Sequence, residues 1–157
     1  MPTIRPMVRK EKAKFIERIV ETSWKDLPEH QRKRLTATDI APKVEHIVSL
    51  LMEQGDNVIL IADLPDLCNA GQIWLGQARD PYTGMIRGYI YDLFVEPEVR
   101  YQGVGKALLQ AVEQASRKRG DSEMALTVGA HNYSALTLYR QFGFETERLT
   151  LCKSLEE

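Results

Sequence analysis

Cysteine is scarce in this chain. Cys68 and Cys152 lie far apart without metal-ligand spacing, which excludes a disulfide framework and reads as a pair of reduced thiols. His30, His46 and His131 are equally scattered, so no metal is expected. No run approaches 18 apolar residues, so no membrane span is expected. The N-terminal Met1-Pro2-Thr3-Ile4-Arg5-Pro6 lacks the apolar core of a signal peptide. Net charge is only −1, which offers nucleic acid no general attraction. These absences predict a cytoplasmic protein whose partners are neither membranes nor nucleic acids.

The 157 residues suffice for one domain with its own core, and no repeat, low-complexity tract or linker divides them. Charge is uneven only near the start. Residues 5 to 34 carry ten Lys or Arg against five acids, a pattern that fits a solvated helix face and, as a second reading, a docking surface for an acidic partner.

Periodicity predicts a short strand at Thr3 to Met7. A helix follows from Lys10 to Trp24, with Phe15, Ile16, Ile19, Val20 and Trp24 on one face. A second helix is expected from near Asp39, with Pro42 in its first turn and Val44, Ile47, Val48, Leu51 and Met52 aligned. Val58 to Ala62 reads as a buried strand and Asp63 to Asn69 as a loop. Gln72 to Arg79 and Ile86 to Val95 read as two further strands joined through Asp80-Pro81-Tyr82-Thr83-Gly84. A helix from Gly105 to about Arg119, a strand at Glu123 to Val128, a helix at Tyr133 to Phe142 and a last strand at Glu147 to Lys153 complete the chain. This order implies an α/β (α+β) domain, a mixed sheet with helices on both faces.

The most informative stretch runs from Leu93 to Leu109. A strand leads into a glycine loop that opens an amphipathic helix, so free backbone N–H groups and a positive helix end converge where a phosphate could sit. A nucleotide P-loop is excluded, because Arg100 replaces its first glycine and Ala107 its magnesium-binding hydroxyl. A dinucleotide fingerprint fails because Leu108 stands where its third glycine belongs. What remains is R-x-x-G-x-G, formed by Arg100, Gly103 and Gly105 and followed by Lys106, a cationic cradle suited to a pyrophosphate. Standing alone, the same pattern also describes a glycine-capped strand-to-helix turn.

LFVEPEVRYQGVGKALL resembles the acetyl-CoA signature of the GNAT superfamily of N-acetyltransferases, and LTVGAHNYSALTLYRQFGF (Leu126 to Phe144) resembles that family's next strand, Asn and A-x-x-L-Y-x-x-x-G-F helix. The likeness covers about residues 86 to 144. It implies one GNAT-type domain over residues 1–157, with a mostly antiparallel sheet of six to seven strands splayed between strands four and five. Residues 86–144 would form the acetyl-CoA core and residues 10–71 the acceptor-site elements.

The resemblance also implies roles. Leu93, Phe94 and Val95 would pair through their backbone with pantetheine, and Arg100, Tyr101, Gln102, Gly103, Val104, Gly105 and Lys106 would hold the pyrophosphate. Asn132 would contact pantetheine while capping its helix. Tyr139 would be the general acid that protonates the thiolate, a transfer between groups of ordinary pKa near 10 and 8.5. Where some family members place a catalytic glutamate, this chain has Thr127, which cannot serve as a base. Asp92 is the candidate base, although strict alternation puts it on the opposite face from Tyr91 and Leu93. Tyr89 and Tyr91 are the candidate acceptor-binding residues or, in place of a base, a relay through water to bulk solvent. Read from the residues alone, Asp26, Glu29, Asp39, Asp63 and Asp66 could attract a cationic amine, while scattered loop acids of this kind are mostly solvated.

The expected activity is acetyl transfer from acetyl-CoA to a primary amine, of a small molecule or a protein, by direct attack in a ternary complex. The alternatives are a non-catalytic acyl-CoA-binding or sensing module and an enzyme for a different acyl group. The family likeness further suggests a homodimer joined through the last strand and tail.

Overall fold

The structure is a computed structural model that describes residues 1–156. β1 (Thr3–Pro6) leads through a 3-10 turn at Arg9–Glu11 into α1 (Lys12–Asp26), the single-turn α2 (Glu29–Arg32) and α3 (Ala37–Glu53). Three strands follow, β2 (Val58–Leu64), β3 (Leu67–Arg79) and β4 (Ile86–Val95). Then come a 3-10 turn at Pro97–Val99, α4 (Val104–Lys118), β5 (Met124–Leu126) and α5 (Tyr133–Gln141). The sheet order is β1-β2-β3-β4-β5, antiparallel except for the parallel β4–β5 pair.

Each sheet face receives one layer of helices. Phe15 and Ile19 of α1 and Val48 of α3 bury against Trp74 on one face. Val104, Leu108, Leu109 and Val112 of α4 bury against Ala62, Ile73, Leu75 and Ile90 on the other. β3 is therefore buried on both sides along most of its length, as its apolar run Ile73-Trp74-Leu75 demands.

Several boundaries differ from the sequence reading for identifiable reasons. α3 starts before Asp39 because Thr36 and Asp39 cap it reciprocally, the Asp39 N–H donating to Thr36 Oγ1 at 3.2 Å and the Thr36 N–H to Asp39 Oδ2 at 2.7 Å. Pro42 consequently lies inside the helix rather than in its first turn. Residues 63–69 form a hairpin, not a loop: β2 and β3 pair as far as Leu64 and Leu67, leaving only Pro65-Asp66 as the turn. Asp63 closes it by accepting the Asn69 N–H at 2.8 Å.

The expected last strand is absent, so the described residues hold five strands, not six or seven. Glu147 and Arg148 are tied to the β3–β4 turn region instead. Glu147 meets Arg87 at 2.7 Å, and the Arg148 guanidinium lies 4.4 Å from the Tyr82 ring centre. Leu149 and Leu151 stay exposed, so no apolar burial favours adding this segment to the edge of β5.

Two irregularities in β4 shape everything that follows. Trp74 pairs with Asp92 and Leu75 with Ile90, so Tyr91 is an extra residue, a β-bulge. On its other side β4 pairs with β5 only from Gly88 to Ile90. Beyond that point the strands part, and β4 from Tyr91 to Val95 has one edge without a strand partner.

Candidate functional site

The anion loop lies at the end of that free edge. Tyr101 (φ 66°) and Gly103 (φ 81°) both adopt left-handed backbone, which swings the chain from β4 into α4. Space beside Gly103 is open, so its lack of a side chain leaves the main chain approachable from solvent. Gly105 has a packing reason as well: a Cβ there would lie 3.2 Å from Leu138 of α5. The first helical hydrogen bond runs from the Ala107 N–H to the Gly103 carbonyl. Among the described residues no acceptor takes the N–H groups of Tyr101 through Lys106. Arg100 and Lys106 are exposed beside them, and Arg100 folds back so that its Nε donates to the Val95 carbonyl at 3.4 Å. The loop thus offers unpaired donors, a helix start and two cations at one place, the chemistry of a diphosphate site.

The parting of β4 and β5 opens a cavity of about 130 Å³. α1 contributes Thr22, Ser23 and Asp26 to its wall, β4 contributes Ile90 to Leu93, the segment after β5 contributes Thr127 and Val128, and α5 contributes Asn132, Ala135 and Tyr139. Leu93 and Val95 turn their side chains toward the α4 layer, whereas Phe94 faces α1 under the Arg18 guanidinium at 4.8 Å.

Asp92 is 4% exposed, and Gln72 Nε2 donates to its Oδ2 at 2.8 Å. Among the described residues its buried Oδ1 has no hydrogen-bond partner. Burial disfavours the charged form and pushes its pKa up to about 6, against opposing contributions from the Gln72 and Thr22 side chains and the Arg18 charge. The bulge corrects the expectation from strict alternation. Tyr91 and Asp92 share the α1 face, Tyr91 with its ring 4.9 Å from Trp74 and Asp92 opposite Trp74 in the ladder, and only Leu93 points the other way.

Tyr139 stands across the same cavity, edge-on to Phe144 at 5.7 Å. Desolvation first, then the carboxylates of Asp92 and Asp26, hold its phenol well above the usual range. Asn132 caps α5, its Oδ1 accepting the Ala135 N–H at 3.3 Å, and lines the cavity from there. Asp26 binds the Gly129 N–H at 2.7 Å and so ties the end of α1 to the β5–α5 connection. Of the two tyrosines on β4, Tyr91 lines the cavity, while Tyr89 lies outside its wall and meets the Thr127 hydroxyl.

Sequence reasoning passed over Arg18, Thr22 and Gln72. Arg18, 3% exposed, donates to Asn69 Oδ1 at 2.5 Å, to the Asn69 carbonyl at 2.8 Å and to Glu96 at 2.6 Å. A signal existed: Arg18, Thr22 and Asp26 recur at intervals of four along α1, and Gln72 is a lone amide beside an apolar strand run. No group of three or more His, Cys, Asp or Glu able to hold a metal occurs among the described residues, and no helix there is long and apolar enough to cross a membrane.

A parted sheet edge thus lies beside a donor-rich helix start. The comparisons with known proteins give that outline its family. The profile described as "Acetyltransferase (GNAT) family" matches residues 17–144, and the chain belongs to that family. It is 28% identical over 146 residues to the uncharacterized N-acetyltransferase YycN of Bacillus subtilis, covering 88% of this chain and 83% of that one. The YycN crystal structure superposes with a TM-score of 0.78 at 23% identity, covering 100% of both chains. Human N-acetyltransferase 8 is 33% identical over 85 residues, 46% of this chain and 37% of that protein. A predicted acetyltransferase of Clostridium acetobutylicum, solved with acetyl-CoA, has the same fold, with a TM-score of 0.70 at 17% identity over 99% of this chain and 97% of that one.

Proposed function

We propose that this chain transfers an acetyl group from acetyl-CoA to a primary amine by direct attack in a ternary complex. The observation that carries the reading is the buried, half-unpartnered carboxyl of Asp92 facing Tyr139 across the cavity where β4 loses its neighbour. Residues 86–144 serve acetyl-CoA, and residues 10–71 shape the acceptor side. When bound, acetyl-CoA supplies an activated thioester carbonyl and a stable leaving thiolate.

The chain's own groups do the rest. The N–H groups of Tyr101 to Lys106, with Arg100 and Lys106, hold the diphosphate. The free edge of β4 at Leu93, Phe94 and Val95 supplies main-chain partners to the pantetheine amides, as in strand addition, with Asn132 on the facing side. A backbone N–H near Leu93–Phe94 polarises the carbonyl oxygen. Asp92 receives the proton of the incoming ammonium, which Asp26 helps attract. Tyr91 and Tyr89 flank this approach.

Tyr139 remains neutral at physiological pH and donates its hydrogen toward the sulfur. Its raised pKa makes the transfer less even than unperturbed groups would allow. Burial is the larger cause and persists, but protonation of Asp92 eases the mismatch in part by removing one of the two charges that hold the phenol up. Delivery of the amine proton thereby prepares the acid.

The test is release of free CoA thiol from acetyl-CoA across a panel of small amines, polyamines and peptides. Turnover with at least one amine, falling below a pH of about 6 as Asp92 becomes protonated, is expected. Tight binding of acetyl-CoA without release across the panel would instead favour a sensing module.

A further inference from the structure

We propose that Gln72 is a positioning residue that decides which oxygen of Asp92 accepts the proton, occupying Oδ2 and leaving Oδ1 for the acceptor amine. The inference rests on the proposed role of Asp92 and extends it to a residue on the neighbouring strand.

The orientation of the Gln72 amide is fixed by its neighbours' chemistry. Gln72 is fully buried. On one side lies Arg18 Nη1 at 3.3 Å, which can only donate, so Gln72 must present Oε1 there. On the other side lies the Phe15 carbonyl at 3.1 Å, which can only accept, so Nε2 must face it. The second hydrogen on Nε2 is therefore committed to Asp92 Oδ2 at 2.8 Å. A flipped amide would oppose donor to donor at Arg18 and acceptor to acceptor at Phe15. Arg18 is itself anchored by Asn69 and Glu96, so the frame behind Gln72 is rigid.

Asp92 Oδ2 already receives a hydrogen bond, and a proton placed there would weaken that bond, because a protonated oxygen is the poorer acceptor. Among the described residues Oδ1 is buried and takes no hydrogen bond, and Asp92 is one of the residues of the cavity wall. The chemistry is then specific. An N–H bond of the acceptor ammonium breaks, its electron pair stays on nitrogen, and the proton goes onto Oδ1.

The charged and titratable groups facing Asp92 come from each packed element: Arg18 and Asp26 from α1, Tyr91 from β4 itself, Tyr139 from α5, and Glu96 behind Arg18. Among the described residues only Gln72 donates a hydrogen bond to the carboxylate, and the nearby Thr22 hydroxyl donates its one hydrogen to the Arg18 carbonyl at 2.9 Å.

The experiment combines the pH profile of kcat/KM with a carboxyl ¹³C NMR titration of Asp92 in the full chain. Gln72→Met keeps the length and removes the donor. Its acidic limb and its Asp92 titration should both move up by about one pH unit, the worth of one hydrogen bond to a charged group. Gln72→Glu, which keeps a partner for Arg18 but brings a second carboxyl to Oδ2, should move both further up. Thermal unfolding identifies which variant is folded well enough to read. If a folded variant keeps the wild-type limb and titration, Gln72 only fills space and the inference is overturned. If Asp92→Asn retains the wild-type acidic limb, the role of Asp92 as base fails. The NMR titration still decides whether Gln72 sets its proton affinity.

Discussion

The anion loop and the buried carboxyl sit at opposite ends of one strand segment and are built in opposite ways. The loop from Arg100 to Lys106 is local and open. Its conformation follows from two left-handed residues and a helix start, and most of its residues face solvent. The Asp92 site is assembled from distant segments: Gln72 lies 20 residues away in sequence, and the Arg18 contact to Glu96 spans 78. The loop's donors are unpaired because water can serve them until a ligand arrives. The lone oxygen of Asp92 is unpaired in a dry site, where it costs free energy. Substitutions in the loop should therefore change affinity and leave the pH dependence in place, while substitutions around Asp92 should shift the pH dependence of both activity and stability.

The largest expected effect belongs to the buried end. Asp92→Asn should lower kcat/KM by about 100-fold, the lower end for loss of a general base, with acetyl-CoA affinity in calorimetry within about twofold of wild type. The same variant should be more stable at pH 7. Asp92 binds its proton more tightly folded than unfolded, so ionisation weakens the fold as pH rises from 3.8 through about 6. The charge's full cost, on the order of 3 kcal/mol, is present above that window and absent below it. Urea unfolding should show the variant gaining stability over wild type at pH 7 and losing that advantage near pH 4. Equal stability at both pH values would mean the carboxyl is not buried as described.

Gly103→Val tests the open end. A β-branched residue in left-handed backbone is strained by roughly 1–2 kcal/mol, so calorimetry should show CoA binding weakened by about tenfold while the acidic limb stays in place. Tyr139→Phe should lower kcat about fivefold in steady-state assays with little change in acetyl-CoA affinity, since the ring keeps its packing on Phe144. Arg100→Ala should have the smallest effect, about threefold in affinity and shrinking as salt rises, because its guanidinium is solvent-exposed.

The same contrast explains what could be read from the chain. Ile86 to Val95, the start of α4 and the Asn132 cap were legible because glycine, cap and period signals are local. The bulge at Tyr91 was not, since it depends on the register between β3 and β4, and without it the facing of Asp92 comes out wrong relative to Tyr91. The hairpin at residues 63–69 was hidden by Pro65 and Asp66, residues that mark a turn but not how short it is. The segment from Glu147 to Lys153 resembles a strand in sequence because Leu149 and Leu151 alternate with polar residues, but both stay exposed and no strand forms. Arg18 looked like one cation in a basic helix, and only tertiary contacts with Asn69, Gln72 and Glu96 distinguish it from its solvated neighbours.

The most direct measurement is an amide NMR titration of ¹⁵N-labelled protein with coenzyme A. The resonances of Tyr101 to Lys106 should show the largest shifts, joined by those of Leu93 to Val95 along the open strand edge, and Asp92→Asn should reproduce the pattern. Saturating ligand that leaves the Tyr101 to Lys106 amides unmoved would contradict a diphosphate held there.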